Sequence, residues 1–154
     1  MQLKRVVVTG LGALTPIGNN IEEYWDALIS GKSGSAPITY YDTEKFKVKF
    51  ACELKNYNIE DHFERKEGRK LDRFAQYALI SSDEAILDSK LDLDKVDKFR
   101  VGVIWGAGIG GLETFQNEVM NFANGDGTPR FLYSKDDCRY CTRKYFHKAW
   151  FYGA

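Results

Sequence analysis

One repeated pattern most constrains how this chain folds. A short β-branched run is followed by a glycine-rich loop and then by helical spacing, and this order occurs twice. The first run is residues 4–9 (KRVVVT), followed by Gly10 and Gly12. The second is residues 99–105 (FRVGVIW), followed by the loop GAGIGG. Apolar runs of this length that end at glycines are typical of buried strands. The sequence therefore predicts two buried strands, each leading into a tight turn.

Helical apolar spacing follows each of these runs and also occurs between them. The predicted helices cover residues 20–31, 71–88 and 112–122, and the turn NGDG closes the last of them. Asn20 is suited to cap the first helix, and Gly31 to end it. Residues 47–54 (KVKFACEL) have the composition of a further strand. Alternating strands and helices indicate an α/β fold.

The overall charge and the apolar runs exclude several classes of protein. The chain has 154 residues, of which 44% are hydrophobic, enough for one domain with a sizeable core. Its 22 basic and 22 acidic residues balance, so no overall field attracts nucleic acid or an anionic membrane. No apolar run reaches the roughly 18 residues of a membrane span, and the start MQLKRVVVTGLG is not a signal peptide. We expect a cytoplasmic protein with no nucleic-acid or membrane partner.

The loop at residues 106–111 has the form G-x-G-x-x-G between a predicted strand and a predicted helix, which is typical of dinucleotide binding. In that interpretation the chain is a nucleotide-binding oxidoreductase whose helix N-terminus holds a pyrophosphate. However, Asp126, the acidic residue at the required distance, lies in a predicted turn and not at a strand end. Glycines that let the backbone pack closely are a simpler interpretation of this loop and of residues 10–18.

Four longer segments are more specific than either glycine loop. They are KRVVVTGLGALTPIGNNIEEYWDALISGKSG, KFACELKNYN, RKEGRKLDRFAQYAL, and VGVIWGAGIGGLETFQNE through DGTPRF. Together they resemble the amino-terminal part of a β-ketoacyl-acyl-carrier-protein synthase of the elongating, type II kind. We identify residues 1–131 with this region. The resemblance implies an α/β, thiolase-like fold, of which the chain carries roughly the amino-terminal half.

The resemblance also implies an activity, that of a 3-oxoacyl-[acyl-carrier-protein] synthase of fatty acid biosynthesis. In such an acyltransferase a cysteine thiolate takes an acyl chain from acyl carrier protein. Malonyl carrier protein then loses CO₂ to supply the carbanion of a Claisen condensation, helped by two histidines. The family implies a homodimer and no cofactor or metal. Neither the catalytic cysteine nor the histidines have counterparts in these 154 residues, so the chain alone is predicted to be inactive.

Two sets of residues correspond to substrate contacts of the family. Lys66, Arg69 and Lys70, assisted by Arg65, match a basic cluster that docks the acidic helix of acyl carrier protein near the start of the long helix. By composition alone the same residues suggest a solvated turn. Ile109 matches a position that lines the acyl-chain pocket, and core packing would also account for it. An alternative function is a non-catalytic subunit that binds acyl carrier protein or an intact ketosynthase.

Residues 132–150 (LYSKDDCRYCTRKYFHKAW) do not resemble the family. Cys138, Cys141 and His147 supply only three zinc ligands where a structural site needs four, and a redox dithiol would need a strand before it and a helix after it. Permitted codons for this stretch, read one nucleotide out of frame, give FIPKMIADIAPGNISIKHG. That segment resembles the family and joins smoothly to residues 151–154. We therefore predict a frameshifted stretch and no metal site, with an ordinary surface tail as the alternative. Cys52 is interpreted as a small buried apolar side chain.

Overall fold

Helices make up most of the regular structure in residues 4–125, the part of the chain that this computed structural model describes. The elements are α1 (Ile21–Ile29), β1 (Ala36–Pro37), β2 (Phe50–Ala51), α2 (Arg65–Gly68), α3 (Arg73–Ser89) and α4 (Leu112–Ala123), with short 3-10 helices at Ile59–Asp61 and Lys98–Arg100. The chain divides into two compact units. The first contains residues up to 58 together with 80–90, and the second contains 59–79 together with the residues from 91 onward.

Helix α1 begins and ends where the sequence predicts. The Asn20 side chain accepts a hydrogen bond of 2.8 Å from the Glu23 N–H, and the Glu23 carboxylate accepts one of 2.9 Å from the Asn19 N–H. This reciprocal arrangement satisfies backbone donors that the first turn of a helix leaves without partners. After the helix, Gly31 adopts a left-handed φ of 68°. The predicted cap and stop are both confirmed.

The first glycine loop packs directly on α3 within the first unit. A Cβ atom added to Gly10 would lie 2.1 Å from the carbonyl oxygen of Ala85, and one on Gly12 would lie 1.9 Å from that of Ser81. Distances this short allow no side chain, because the neighbouring atoms belong to helix backbone. The close-packing interpretation of this loop is confirmed.

Two carboxylates of α3 bind the backbone of the same loop. The Leu11 N–H donates to Asp88 over 2.8 Å, and the Ala13 N–H donates to Glu84 over 2.8 Å. The second oxygen of Glu84 accepts from the Ile21 N–H at 2.7 Å, at the first residue of α1. Bonds from neutral donors to a carboxylate are shorter and stronger than bonds between neutral groups. Glu84 therefore joins the glycine loop and the start of α1 to the long helix.

The core of the described residues contains one face of α3. Ala75, Ala78 and Leu79 are buried at helical spacing, as the pattern over residues 71–88 predicts. Leu71, before the helix, and Ala27 in α1 are buried as well. None of the helices in residues 4–125 is both long and apolar enough to cross a bilayer.

The two predicted buried strands are wrong as structural assignments. Residues 4–9 and 99–105 contain no strand, and Val6 and Ile104 are 89% and 99% exposed. A β-branched run becomes a strand only where another strand pairs with its backbone. In the described part of the chain the paired strands are β1 and β2, in antiparallel register with Ala36 opposite Ala51. The predicted strand at 47–54 is thus reduced to Phe50–Ala51, and its partner β1 lies where the sequence analysis predicts no strand.

Cys52 is exposed, so its interpretation as a buried apolar side chain is also wrong. It directly follows β2, where the neighbouring Phe50 is 64% exposed. A two-residue ribbon has little surface with which to bury its side chains, which explains the error. Residues 132–150, with Cys138, Cys141 and His147, lie outside the described residues, as do residues 151–154.

Candidate functional site

The basic cluster occupies a separate short helix and the turn after it. Lys66 lies in α2, Arg69 is the C-terminal cap of that helix, and Lys70 lies in the turn that leads to α3 at Arg73. The cluster thus lies just ahead of the long helix, as predicted, and Arg69 and Lys70 lie in an exposed turn, whereas the short helix that contains Lys66 was not predicted. A charged sequence with an internal glycine conceals α2, because one turn of helix is too short to show a periodic pattern.

Helix α2 packs closely on the preceding segment at Gly68. This residue is buried, and an added Cβ atom would lie 2.7 Å from Cδ1 of Ile59 in the preceding 3-10 helix. The side chain of Gln76 in α3 is 6% exposed, and its amide donates hydrogen bonds to the carbonyls of Leu71 (2.8 Å) and Gly68 (3.4 Å). The two hydrogen bonds join the turn between α2 and α3 to the side of α3. Gln76 was missed at the level of sequence, although a polar residue on the apolar face of α3 is a signal that could have found it.

The four cationic side chains of this segment are exposed. They belong to Arg65, Lys66, Arg69 and Lys70. Within residues 4–125 none of them forms a salt bridge, whereas Lys95 pairs with Asp92 over 2.7 Å, and this pairing lowers the pKa of the Asp92 carboxyl. Cations that have no internal partner remain available to an acidic molecule in solution. The structure thus places the predicted cluster together on one short, exposed segment.

A cleft of about 390 Å³ lies beside the cluster in the second unit. Arg65, Arg69 and Arg73, spaced four residues apart, contribute to its lining, while Lys66 and Lys70 do not. Residues from the start of α4, Glu113 and Thr114 among them, also line the cleft. The acidic residues Glu60, Glu64 and Asp72 line the cleft as well, so its lining is not uniformly positive.

Two contacts join the start of α3 to the start of α4. The Thr114 hydroxyl donates to one oxygen of Asp72, while the other Asp72 oxygen is buried and has no hydrogen-bond partner among the described residues. Arg73 forms a salt bridge with Glu113, with 3.6 Å between Nε and Oε2. These residues are about forty positions apart in sequence, and no periodic signal links them.

The second glycine loop leads into α4. Gly111 adopts a φ of 66° as the N-terminal cap, and a Cβ atom on Gly110 would lie 3.0 Å from the ring of Phe74. Backbone conformation and packing account for these two glycines, whereas Gly106 and Gly108 have open space around them. Ile109 is 80% exposed, so its interpretation as core is wrong. Its assignment to an acyl-chain pocket stays a prediction.

The described residues contain no group of three or more His, Cys, Asp or Glu side chains arranged to hold a metal ion. The three potential zinc ligands, Cys138, Cys141 and His147, belong to the stretch that lies outside the described residues.

The sequence is similar to a known family and to named relatives within it. Residues 3–141 match the family model "Beta-ketoacyl synthase, N-terminal domain". The chain is 50% identical over 115 residues to 3-oxoacyl-[acyl-carrier-protein] synthase 2 from Staphylococcus aureus strain COL. It is 41% identical over 118 residues to the protein of the same name from Synechocystis. These matches cover 75% and 77% of this chain but only 28% of each relative, so the chain spans less than a third of their length.

Solved structures with a similar fold extend the comparison to nearly the whole chain. A β-ketoacyl synthase from Burkholderia phymatum STM815 has a TM-score of 0.69 at 25% identity and covers 96% of this chain and 37% of its own. The ishigamide ketosynthase/chain length factor gives 0.70 at 25% identity, covering 93% and 36%. A type II PKS acyl-carrier protein in complex with its ketosynthase gives 0.70 at 22% identity, covering 94% and 39%.

Proposed function

The chain belongs to the β-ketoacyl synthase family, and on that premise we propose that it is the amino-terminal part of a fatty-acid chain-elongating condensing enzyme. The observation that carries the proposal is the 50% identity over 115 residues to the staphylococcal 3-oxoacyl-[acyl-carrier-protein] synthase 2. In the proposed reaction, malonyl carrier protein loses CO₂ and its carbanion attacks an acyl-enzyme thioester. The new carbon–carbon bond forms as the enzyme thiolate leaves, and 3-oxoacyl carrier protein is the product.

In this proposal α2 and the turn after it bind acyl carrier protein. Lys66, Arg69 and Lys70 are exposed, lack salt bridges within the described residues, and are held by the contacts of Gly68 and Gln76. An acidic helix would meet a backbone segment that is already ordered, so docking would order only the exposed side chains. Arg65 extends the same surface toward the cleft.

Ile109 is the proposed contact to the acyl chain of the thioester substrate. It lies two residues before the left-handed Gly111, at the start of α4. Its side chain is apolar and 80% exposed, and an acyl chain that covered it would remove this apolar surface from water.

The proposal also includes the homodimer and the cytoplasmic location that are expected for the family.

A second candidate is a non-catalytic subunit that binds carrier protein or an intact ketosynthase. Its support is the likeness to the ishigamide ketosynthase/chain length factor. Co-purification with an intact ketosynthase, without added condensing activity, would favour this candidate. A nucleotide-binding oxidoreductase is the third interpretation, and a nicotinamide titration tests it directly. Two glycines of its proposed loop are needed without any nucleotide, Gly110 for packing and Gly111 for backbone conformation.

Charge reversal of the cluster tests carrier docking. The test protein is a hybrid in which this chain replaces the matching part of the staphylococcal relative. We expect Lys66→Glu, Arg69→Glu and Lys70→Glu together to raise the KM for acyl carrier protein about tenfold or more at low salt, because repulsion replaces attraction. Steady-state kinetics with a small acyl-CoA substrate should change little, since that substrate lacks the acidic helix.

Three exposed lysines elsewhere on the chain provide a matched control. Lys45, Lys47 and Lys49 undergo the same charge change when all become Glu, but they lie in the other unit. The control should leave the KM for carrier protein nearly unchanged. Equal effects of the two triple variants, or equal losses with carrier protein and acyl-CoA, would show that the cluster is only a solvated surface.

We also propose that residues 132–150 are the product of a shifted reading frame. The support is the family-like segment FIPKMIADIAPGNISIKHG that the alternative frame produces. Resequencing of the gene should find compensating insertions or deletions that flank codons 132–150. An uninterrupted frame that encodes these same residues would contradict the proposal and favour the partner-subunit candidate.

A further inference from the structure

The row of basic residues continues beyond the predicted cluster to Arg73, whose charge is neutralised by a salt bridge. Arg65, Arg69 and Arg73 contribute to the lining of one cleft at four-residue intervals. Arg73 differs from Arg65 and Arg69 because Glu113 in α4 occupies it. A partner that binds along this row therefore meets two arginines without a salt bridge in the described structure, and then one that already has a carboxylate.

The salt bridge between Arg73 and Glu113 is weak enough to be displaced. The side chains are 45% and 68% exposed, and the contact joins Nε to one carboxylate oxygen over 3.6 Å. Exposed pairs of this kind contribute little to stability, and salt screens them further. A carboxylate from an acidic partner can compete with Glu113 for the same guanidinium.

The backbone beside Glu113 is nevertheless held in place. The left-handed Gly111 starts α4, the Thr114 hydroxyl binds Asp72, and Gly110 packs against the Phe74 ring. These contacts keep Glu113 close to Arg73 even when the salt bridge opens. The competing carboxylate is thus always present at a high local concentration.

We propose that Glu113 is a specificity-determining residue, which limits the docking surface by occupying Arg73. An acidic partner must displace Glu113 before it can use that arginine, so weakly acidic partners are restricted to the predicted cluster. The inference rests on the proposed docking of an acidic carrier protein to α2. It adds a residue of α4 that acts against association.

The test measures association of acyl carrier protein from Staphylococcus aureus, at low salt, with the immobilised hybrid in which this chain replaces the matching part of the staphylococcal relative. We expect Glu113→Gln to raise the association rate about threefold, and about 0.5 M NaCl to remove most of the gain. Glu118→Gln is the matched control, because it removes the same charge from α4 at a residue outside the cleft lining. It should change the rate by less than about 1.5-fold.

A double-mutant cycle with Arg73→Gln separates a specific effect from a general change in charge. The gain from Glu113→Gln should disappear when Arg73 is absent. An equal gain in both backgrounds, or an equal gain from Glu118→Gln, would overturn the inference while leaving carrier docking intact. If the hybrid without these substitutions does not bind carrier protein, or if charge reversal of Lys66, Arg69 and Lys70 does not weaken binding, the proposed docking itself is wrong and the inference falls with it.

Discussion

Replacement of Gly12 by alanine is expected to destabilise the first unit by more than about 3 kcal/mol, enough to prevent its folding. The added Cβ would lie 1.9 Å from the Ser81 carbonyl oxygen and 2.9 Å from the Ala85 nitrogen. Both atoms belong to the backbone of α3, which cannot move aside without losing helical hydrogen bonds. The hydrogen bond from Ala13 to Glu84 would be displaced with the loop. Soluble yield and amide hydrogen exchange over residues 80–90 measure the effect.

Gly106→Ala is the matched control for this substitution. It adds the same methyl group at a glycine that has no other atom within 4 Å of the added Cβ. Because the alanine also reduces the conformational freedom of the unfolded chain, stability should stay the same or rise by about 0.4–1 kcal/mol. Similar hydrogen exchange in the Gly12→Ala protein and the wild type would show that the loop does not pack on α3 as described.

A polypeptide of these 154 residues is expected to form no acyl-enzyme and to catalyse no condensation. A reactive cysteine of this kind needs a helix N-terminus, whose N–H groups stabilise the thiolate. Cys52 instead follows β2, and no helix in the described residues begins there. Cys138 and Cys141 belong to the stretch for which we propose a shifted frame, so they would not be residues of the family's site.

Incubation with acyl-loaded carrier protein, followed by intact-protein mass spectrometry, measures this expectation. The staphylococcal relative, treated identically, is the positive control. Stoichiometric acylation of Cys52, Cys138 or Cys141 would contradict it and would place a working nucleophile in this chain. We expect no acylation of the 154-residue chain under conditions that fully acylate the relative.

Local features of the fold were predictable because short-range interactions determine them. Asn20 caps α1 and Gly31 ends it, as predicted, since a cap needs only side chains within a few residues. The apolar face of α3 was also predictable from its spacing. In contrast, the predicted strands at residues 4–9 and 99–105 failed because a strand depends on a partner elsewhere, which its own composition cannot reveal.

The candidate site was only partly accessible from the sequence. Lys66, Arg69 and Lys70 were identified through the resemblance of their segment to the family, and the separate helix α2 was not foreseen. The buried Gln76 that fixes this segment has an identifiable signal, a polar residue within an apolar face. No sequence signal predicts the contact of Asp72 with Thr114 or that of Arg73 with Glu113, because these residues meet only when the starts of α3 and α4 pack together.

By itself the sequence determined the family, the three longer helices and the residues of the basic cluster, since each depends on segments that are continuous along the chain. Tertiary structure alone decided that Gly12 must remain glycine, that Cys52 is exposed and that Glu113 occupies Arg73. The physical reason is distance along the chain: these properties depend on atoms from remote segments, and only folding brings those atoms within contact range.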